Sequence, residues 1–164
     1  MTLQQFLEWL EATSVGVLIK ESAWGFPITV ALHIMGIMLS VGTLVWFDLR
    51  LLGVSMTGYR ASMMYRRLMP WMFTGFALMA VTGLMLVVAY ATAAYGNLYF
   101  RIKVSAMALA AINAFVYHRY TERRIKEWDD SPMPPAGARS AGLVSICVWA
   151  TVIIAGRMMS YTMF

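Results

Sequence analysis

Long uncharged runs alternate with short polar and basic segments along these 164 residues. No charged residue occurs from Ala23 to Phe47, or from Pro70 to Phe100. Each run is longer than the ~20 residues a helix needs to cross about 30 Å of hydrocarbon. The third run, Val104 to Tyr117, is shorter, but Arg101 and Lys103 can keep their stems in lipid and send their charged heads to the interface. The fourth, from Ser140 onward, is uncharged except for Arg157. The runs are continuous rather than alternating, which favours helices over barrel strands. The pattern predicts an all-α integral membrane four-helix bundle with spans at about 23–47, 70–94, 98–118 and 140–163, forming one membrane domain over residues 1–164.

Three segments outside the spans carry helical patterning. Leu3, Phe6, Leu7 and Leu10 recur on one face with Gln4, Gln5, Glu8 and Glu11 opposite, so residues of about 2–12 are expected to form an amphipathic interfacial helix with Trp9 at headgroup level. Tyr59 to Leu68 reads as a separate basic interfacial helix, ended by Pro70, which opens the second span where its missing N–H is harmless. Arg119 to Asp130 alternates in sign and extends the third helix into water, until Ser131-Pro-Met-Pro-Pro breaks it.

Composition sharpens the class. Hydrophobic residues make up 60% of the chain and charged residues 13%, which no soluble domain of this size matches. The net charge of +5 does not point to nucleic acid, because the basic residues flank spans instead of clustering. Arg50, Arg60, Arg66, Arg67, Arg119, Arg123, Arg124, Lys126 and Arg139 lie on one side, against Lys20, Arg101, Lys103 and Arg157 on the other. That excess of nine over four predicts a multi-pass protein with both termini outside the cytoplasm, periplasmic in a bacterium. No cleavable leader pattern opens the chain, and Cys147, alone in the fourth span, excludes an intrachain disulfide. The expected partners are the bilayer and either further copies of the chain or other membrane subunits.

The candidate chemistry lies in the spans. An ionisable group at bilayer depth needs a partner, so His33 and Arg157 are the first places to look. His33 is about 15 Å inside its span and Arg157 about 10 Å inside the same end of the fourth. An imidazole there either hydrogen-bonds across helices or ligates iron, and a haem on His33 would bring its propionates near Arg157, Arg101 and Lys103. Gly36, one turn from His33, and Gly75 and Gly83 in the second span leave gaps in which a flat macrocycle could approach the backbone, although such residues also serve close helix packing. His118 falls in the opposite half of the membrane and is the weaker axial candidate; Met107 and Met85 come near the depth of His33 as sixth-ligand candidates.

The 15 methionines, with Met35 near Met38 and Met69 near Met72, keep a copper-handling role open, although Met is more often flexible apolar filler. Ala106, Ala110 and Ala114 form a small-residue stripe that admits a neighbouring helix, and Asn113 can hydrogen-bond across it. No span contains paired carboxylates, no nucleophile stands beside a base, and there is no phosphate loop. The resulting order puts a haem b protein for electron transfer first, alone or as a haem-carrying subunit of a larger complex. A cofactor-free accessory or structural subunit comes second, and copper handling or transport last.

The runs Trp24-Gly-Phe-Pro27, Leu32-His33-Ile-Met-Gly36, Asp48-Leu-Arg50-Leu-Leu-Gly53 and Arg66-Arg67-Leu-Met-Pro70-Trp71, followed by Asn113 and His118, resemble a family of small bacterial four-helix inner-membrane proteins of unknown function. The resemblance covers most of residues 14 to 120. It implies a bacterial inner membrane and four helices, and carries no activity over. Val30 departs from the glutamate associated with the turn before this histidine, which removes the support for a proton relay there.

Overall fold

The computed structural model describes residues 1–163, and among them every regular element is helical. Four helices are long and apolar enough to cross a membrane: α3 (Gly25–Leu52), α4 (Ala61–Ala89), α6 (Leu98–Val116, continued by further turns to Trp128) and α8 (Ala136–Met163). The chain is a multi-pass, all-α membrane bundle. Its outer faces carry the side chains that lipid requires, among them Ile34, Met38, Phe73, Leu109 and Ile154. Short helices α1 (Leu3–Glu11), α2 (Ser14–Glu21) and α5 (Ala91–Gly96) cover one end, here the capped end. The loops and the α7 turn (Ile125–Trp128) form the opposite, basic end.

The amphipathic first helix starts on a reciprocal cap: Thr2 Oγ1 accepts from the Gln5 amide at 3.3 Å, and Gln5 Oε1 accepts from the Thr2 amide at 2.8 Å. The next short helix, α2, has no counterpart in the hydrophobic pattern. Thr13 starts it by accepting from the Gly16 amide at 3.3 Å. Lys20 near its end meets Glu11 of α1 at 2.5 Å. Glu11 also accepts from the Thr92 amide at 2.8 Å and from the Thr92 hydroxyl, which ties α1 to the start of α5. Burial opposes charge on Glu11, but the Lys20 and Thr92 bonds hold its pKa below the ordinary carboxylate value.

Two span boundaries differ from the sequence reading. Tyr59 to Leu68 is not a separate interfacial helix: α4 begins at Ala61 and passes through Pro70 without stopping. The proline removes one ladder bond, which a long membrane helix held by its neighbours tolerates. The same helix ends at Ala89, short of residue 94, because Tyr90 leaves helical geometry (φ −128°, ψ 41°) and α5 starts afresh. The extension of the third helix past His118 is as expected, but not as uniform α-helix: the backbone widens to a π turn at Tyr117–Thr121 and tightens to a 3-10 turn at Glu122–Arg124.

In space the order is α4, α3, α8, α6, and the outer two scarcely touch, leaving a lateral seam between α4 and α6. Backbone contact closes the α3–α4 crossing: a Cβ at Gly36 would stand 2.7 Å from the Met79 nitrogen, and one at Gly75 would stand 2.5 Å from the Ser40 nitrogen. Ala106 and Ala110 are buried, and Asn113 Nδ2 donates to the Ala141 carbonyl on α8 at 3.0 Å. Ala106 and Ala110 of the alanine stripe thus serve packing between these helices, whereas Ala114 is exposed at the α4–α6 seam.

At the basic end Arg50 organises the loops. Its side chain is fully buried, with Nε donating to the Tyr59 carbonyl at 2.8 Å and Nη2 to those of Ser131 at 3.0 Å and Asp129 at 3.4 Å. The chain can turn there because Gly53 takes the left-handed conformation (φ 73°) that ends α3. Asp129 in turn caps α4, accepting from the Ser62 amide at 2.7 Å and its hydroxyl at 2.5 Å. Burial works against its charge, but these bonds, with Arg60 and Arg50 nearby, hold the Asp129 pKa below the ordinary value.

Candidate functional site

His33 lies in the capped half of α3, half-buried against α4. Its Nδ1 is 3.0 Å from Thr82 Oγ1. The Thr82 hydroxyl donates its own proton to the Leu78 carbonyl at 2.6 Å, so the imidazole must be the donor in the contact with Thr82. That puts a proton on Nδ1, so in the neutral ring the Nε2 lone pair is the group that can bind something else. Thr82 holds this position because its hydroxyl is bonded back to its own helix, the usual resting place for threonine in a membrane span.

Lys103 is the cation that joins this histidine inside the bundle. The third span begins at Leu98, so Lys103 is only a turn or so along it. Rather than snorkelling fully, it is half-buried, with Nζ 3.6 Å from where a Gly156 Cβ would sit on α8 and close enough to His33 to act on it electrostatically. The other two cations face outward. Arg157 is exposed, donates to the Tyr161 hydroxyl at 2.9 Å and stacks over that ring at 4.6 Å; Arg101 is exposed beside the Tyr95 ring.

The glycines supply no open cradle. The gap at Gly36 is filled by α4 backbone, and that at Gly83 by the His33 ring itself, whose Cε1 would stand 2.9 Å from an added Cβ. For haem b, the oriented imidazole and the half-buried Lys103 fit, whereas Gly36 and Gly83, already filled, do not receive a macrocycle. Any macrocycle must lie away from the α3–α4 crossing. Met107 lines a separate cavity in the other half, Met85 is half-buried in α4, and Met35 and Met38 point outward while Met69 is buried, so the methionine pairs build no common path.

The second place is that cavity, about 250 Å³ in the basic half of the α4–α6 seam. Met69 and Phe76 of α4, Met107 and Ala114 of α6, Phe47 of α3 and Trp149 of α8 supply its apolar walls. Among the polar side chains that break them, two are buried without a full set of partners. Asp48 is 3% exposed and faces Ser145, yet its Oδ2 has no hydrogen-bond partner among the described residues. Tyr117 is 5% exposed, and its hydroxyl has none among them either. His118 sits at the rim, its Nδ1 2.7 Å from Glu122 Oε2 and its ring edge-on to Tyr65. It shares no site with His33.

The hydrophobic pattern marks none of Asp48, Arg50 and Tyr117 as a site residue. It ends the first span at Phe47 because a charge follows, whereas α3 runs on to Leu52 with both charged groups buried. The signal available was the Asp48-Leu-Arg50 spacing: two opposite charges in an otherwise apolar helical run, both requiring burial or partners.

Residues 6–162 match the family described as "Family of unknown function (DUF6644)". No curated protein and no solved structure matches the chain.

Proposed function

We propose, for a chain that belongs to the DUF6644 family, that it is a haem-b-carrying subunit of the bacterial inner membrane, with His33 Nε2 as the axial ligand. The observation that carries this reading is the proton arrangement at His33: with Nδ1–H committed to Thr82, the remaining nitrogen is an oriented lone pair at bilayer depth. When bound, haem b supplies one-electron transfer. The chain's own contribution is to hold the imidazole in one orientation and to offer the half-buried Lys103 as the positive partner for a propionate. Arg157 and Arg101, engaged with Tyr161 and Tyr95, take the lesser part at the surface.

Electron transfer within the membrane suits a small subunit beside larger ones, or several copies of the chain together. The nine-to-four distribution of basic residues supports an orientation with both termini periplasmic. A cytoplasm-only fluorescent reporter is expected to be dark when fused at the C-terminus and bright when inserted near Pro134; the reverse pattern would overturn the orientation.

A second reading, an accessory subunit without cofactor, draws on the filled gaps at Gly36 and Gly83, which are what close helix packing alone would produce. Copper handling has no comparable support. An absorption spectrum of the purified protein separates the first two: a Soret band that shifts on reduction belongs to the haem reading, and a colourless protein from haem-sufficient cells to the accessory one.

A further inference from the structure

We propose that the cavity in the α4–α6 seam is a binding site for the head group of a quinol, a lipid-soluble dihydroxylated aromatic, with Asp48 Oδ2 accepting from one ring hydroxyl and the Tyr117 hydroxyl bonding to the ring oxygens. The site is separate from His33 and does not rest on haem being bound there.

Unmade hydrogen bonds carry the argument. Asp48 and Tyr117 are both more than nine-tenths buried, both line the cavity, and Asp48 Oδ2 and the Tyr117 hydroxyl lack partners. They lie close enough to act on one another electrostatically, yet no hydrogen bond joins them. Leaving a buried acceptor and a buried hydroxyl unpaired is costly, more so for a carboxylate, and one oxygenated ligand between them removes both costs.

Size and walls select the class. A volume of about 250 Å³ lies just below the ~300–1,000 Å³ typical of small-molecule pockets, which suits a single substituted ring and is too small to enclose a haem macrocycle. Phe47, Phe76 and Trp149 offer ring faces and edges, and Met69 and Met107 adapt to substituents. The entrance is the gap where α4 and α6 scarcely touch, flanked by the exposed side chains of Phe73 and Ala114, so the ligand arrives from the bilayer and its tail can remain there.

Hydrogen-bonding chemistry narrows it further. Asp48 Oδ2 is an unpartnered acceptor, and a quinol presents hydroxyl donors at both ends of its ring, whereas the oxidised quinone presents only acceptors, so the reduced form is the better match to Oδ2.

The test uses the full chain in neutral-lipid nanodiscs, titrated under argon with decylubiquinol or decylubiquinone and read by tryptophan fluorescence, since Trp149 borders the cavity. Saturable quenching at one quinol per chain is expected, about tenfold tighter than for the quinone. Asp48→Asn and Tyr117→Phe should each weaken quinol binding about tenfold. Ala114→Phe, which fills the cavity from an exposed position and leaves the packed core alone, should abolish saturation; it decides the matter if either polar variant does not fold. Quenching by wild type that rises linearly with quinol in lipid, or saturable binding that survives Ala114→Phe, would overturn the proposal.

Discussion

Thr82 Oγ1 accepts a hydrogen bond from His33 Nδ1–H across the α3–α4 interface at 3.0 Å, while its own hydroxyl donates to the Leu78 carbonyl. The direction of that bond decides which imidazole nitrogen is available, so a change at Thr82 tests the site without touching the proposed ligand. Thr82→Val keeps the shape, removes the acceptor and is expected to cost about 1 kcal/mol of stability. It should also weaken haem binding about 10–100-fold, as loss of an orienting partner commonly does. Haem titration of the apoprotein measures this, and an unchanged affinity would show that Thr82 does not set the tautomer.

Arg50 holds three loop carbonyls with one guanidinium, at Tyr59, Asp129 and Ser131. Arg50→Met should destabilise the bundle by about 3 kcal/mol through those unpaired carbonyls, seen as a lowered midpoint in detergent unfolding. Arg50→Lys should recover little, because a single ammonium cannot span the same set. Wild-type stability in both variants would refute this role.

The four spans were legible because lipid imposes one rule on the whole length of a helix, and their apolar runs exceed it by a wide margin. Boundaries failed where a local rule met a stronger tertiary one. Pro70 reads as a helix start by its missing donor, but α4 begins at Ala61, where Asp129 caps Ser62 from 67 residues away, a contact that no window of sequence contains. His33 was legible as an ionisable group in an apolar run, yet its partner Thr82 lies 49 residues on, in another span, where one hydroxyl among many carries no mark. Depth alone placed Arg157 and Lys103 together. Rotation about the helix axis separates them, turning Lys103 inward and Arg157 out to Tyr161, and a run that is apolar on all sides gives no periodicity from which to read that rotation.

Glu11 gives the capped end a pH dependence. Its folded pKa is depressed below the ordinary 4.5, so its contribution is fully present above that value and is lost as pH falls through the folded one. Protection of the α1 amides, the slowing of exchange relative to the intrinsic rate at each pH, should be high near neutral pH and fall below about 4.5, while in Glu11→Gln it should be low at both. Protection that is independent of pH in the wild type would show that this ion pair does not hold α1 in place.

The proposed haem ligand is His33 and not His118. The most direct measurement is the Soret absorbance per polypeptide of wild type, His33→Ala and His118→Ala, purified side by side from haem-sufficient cells and checked for equal helical content. The band is expected to vanish in His33→Ala and to persist in His118→Ala, whose imidazole is bonded to Glu122 in the other half of the bundle. A full Soret band in folded His33→Ala, or no band in wild type, would contradict it.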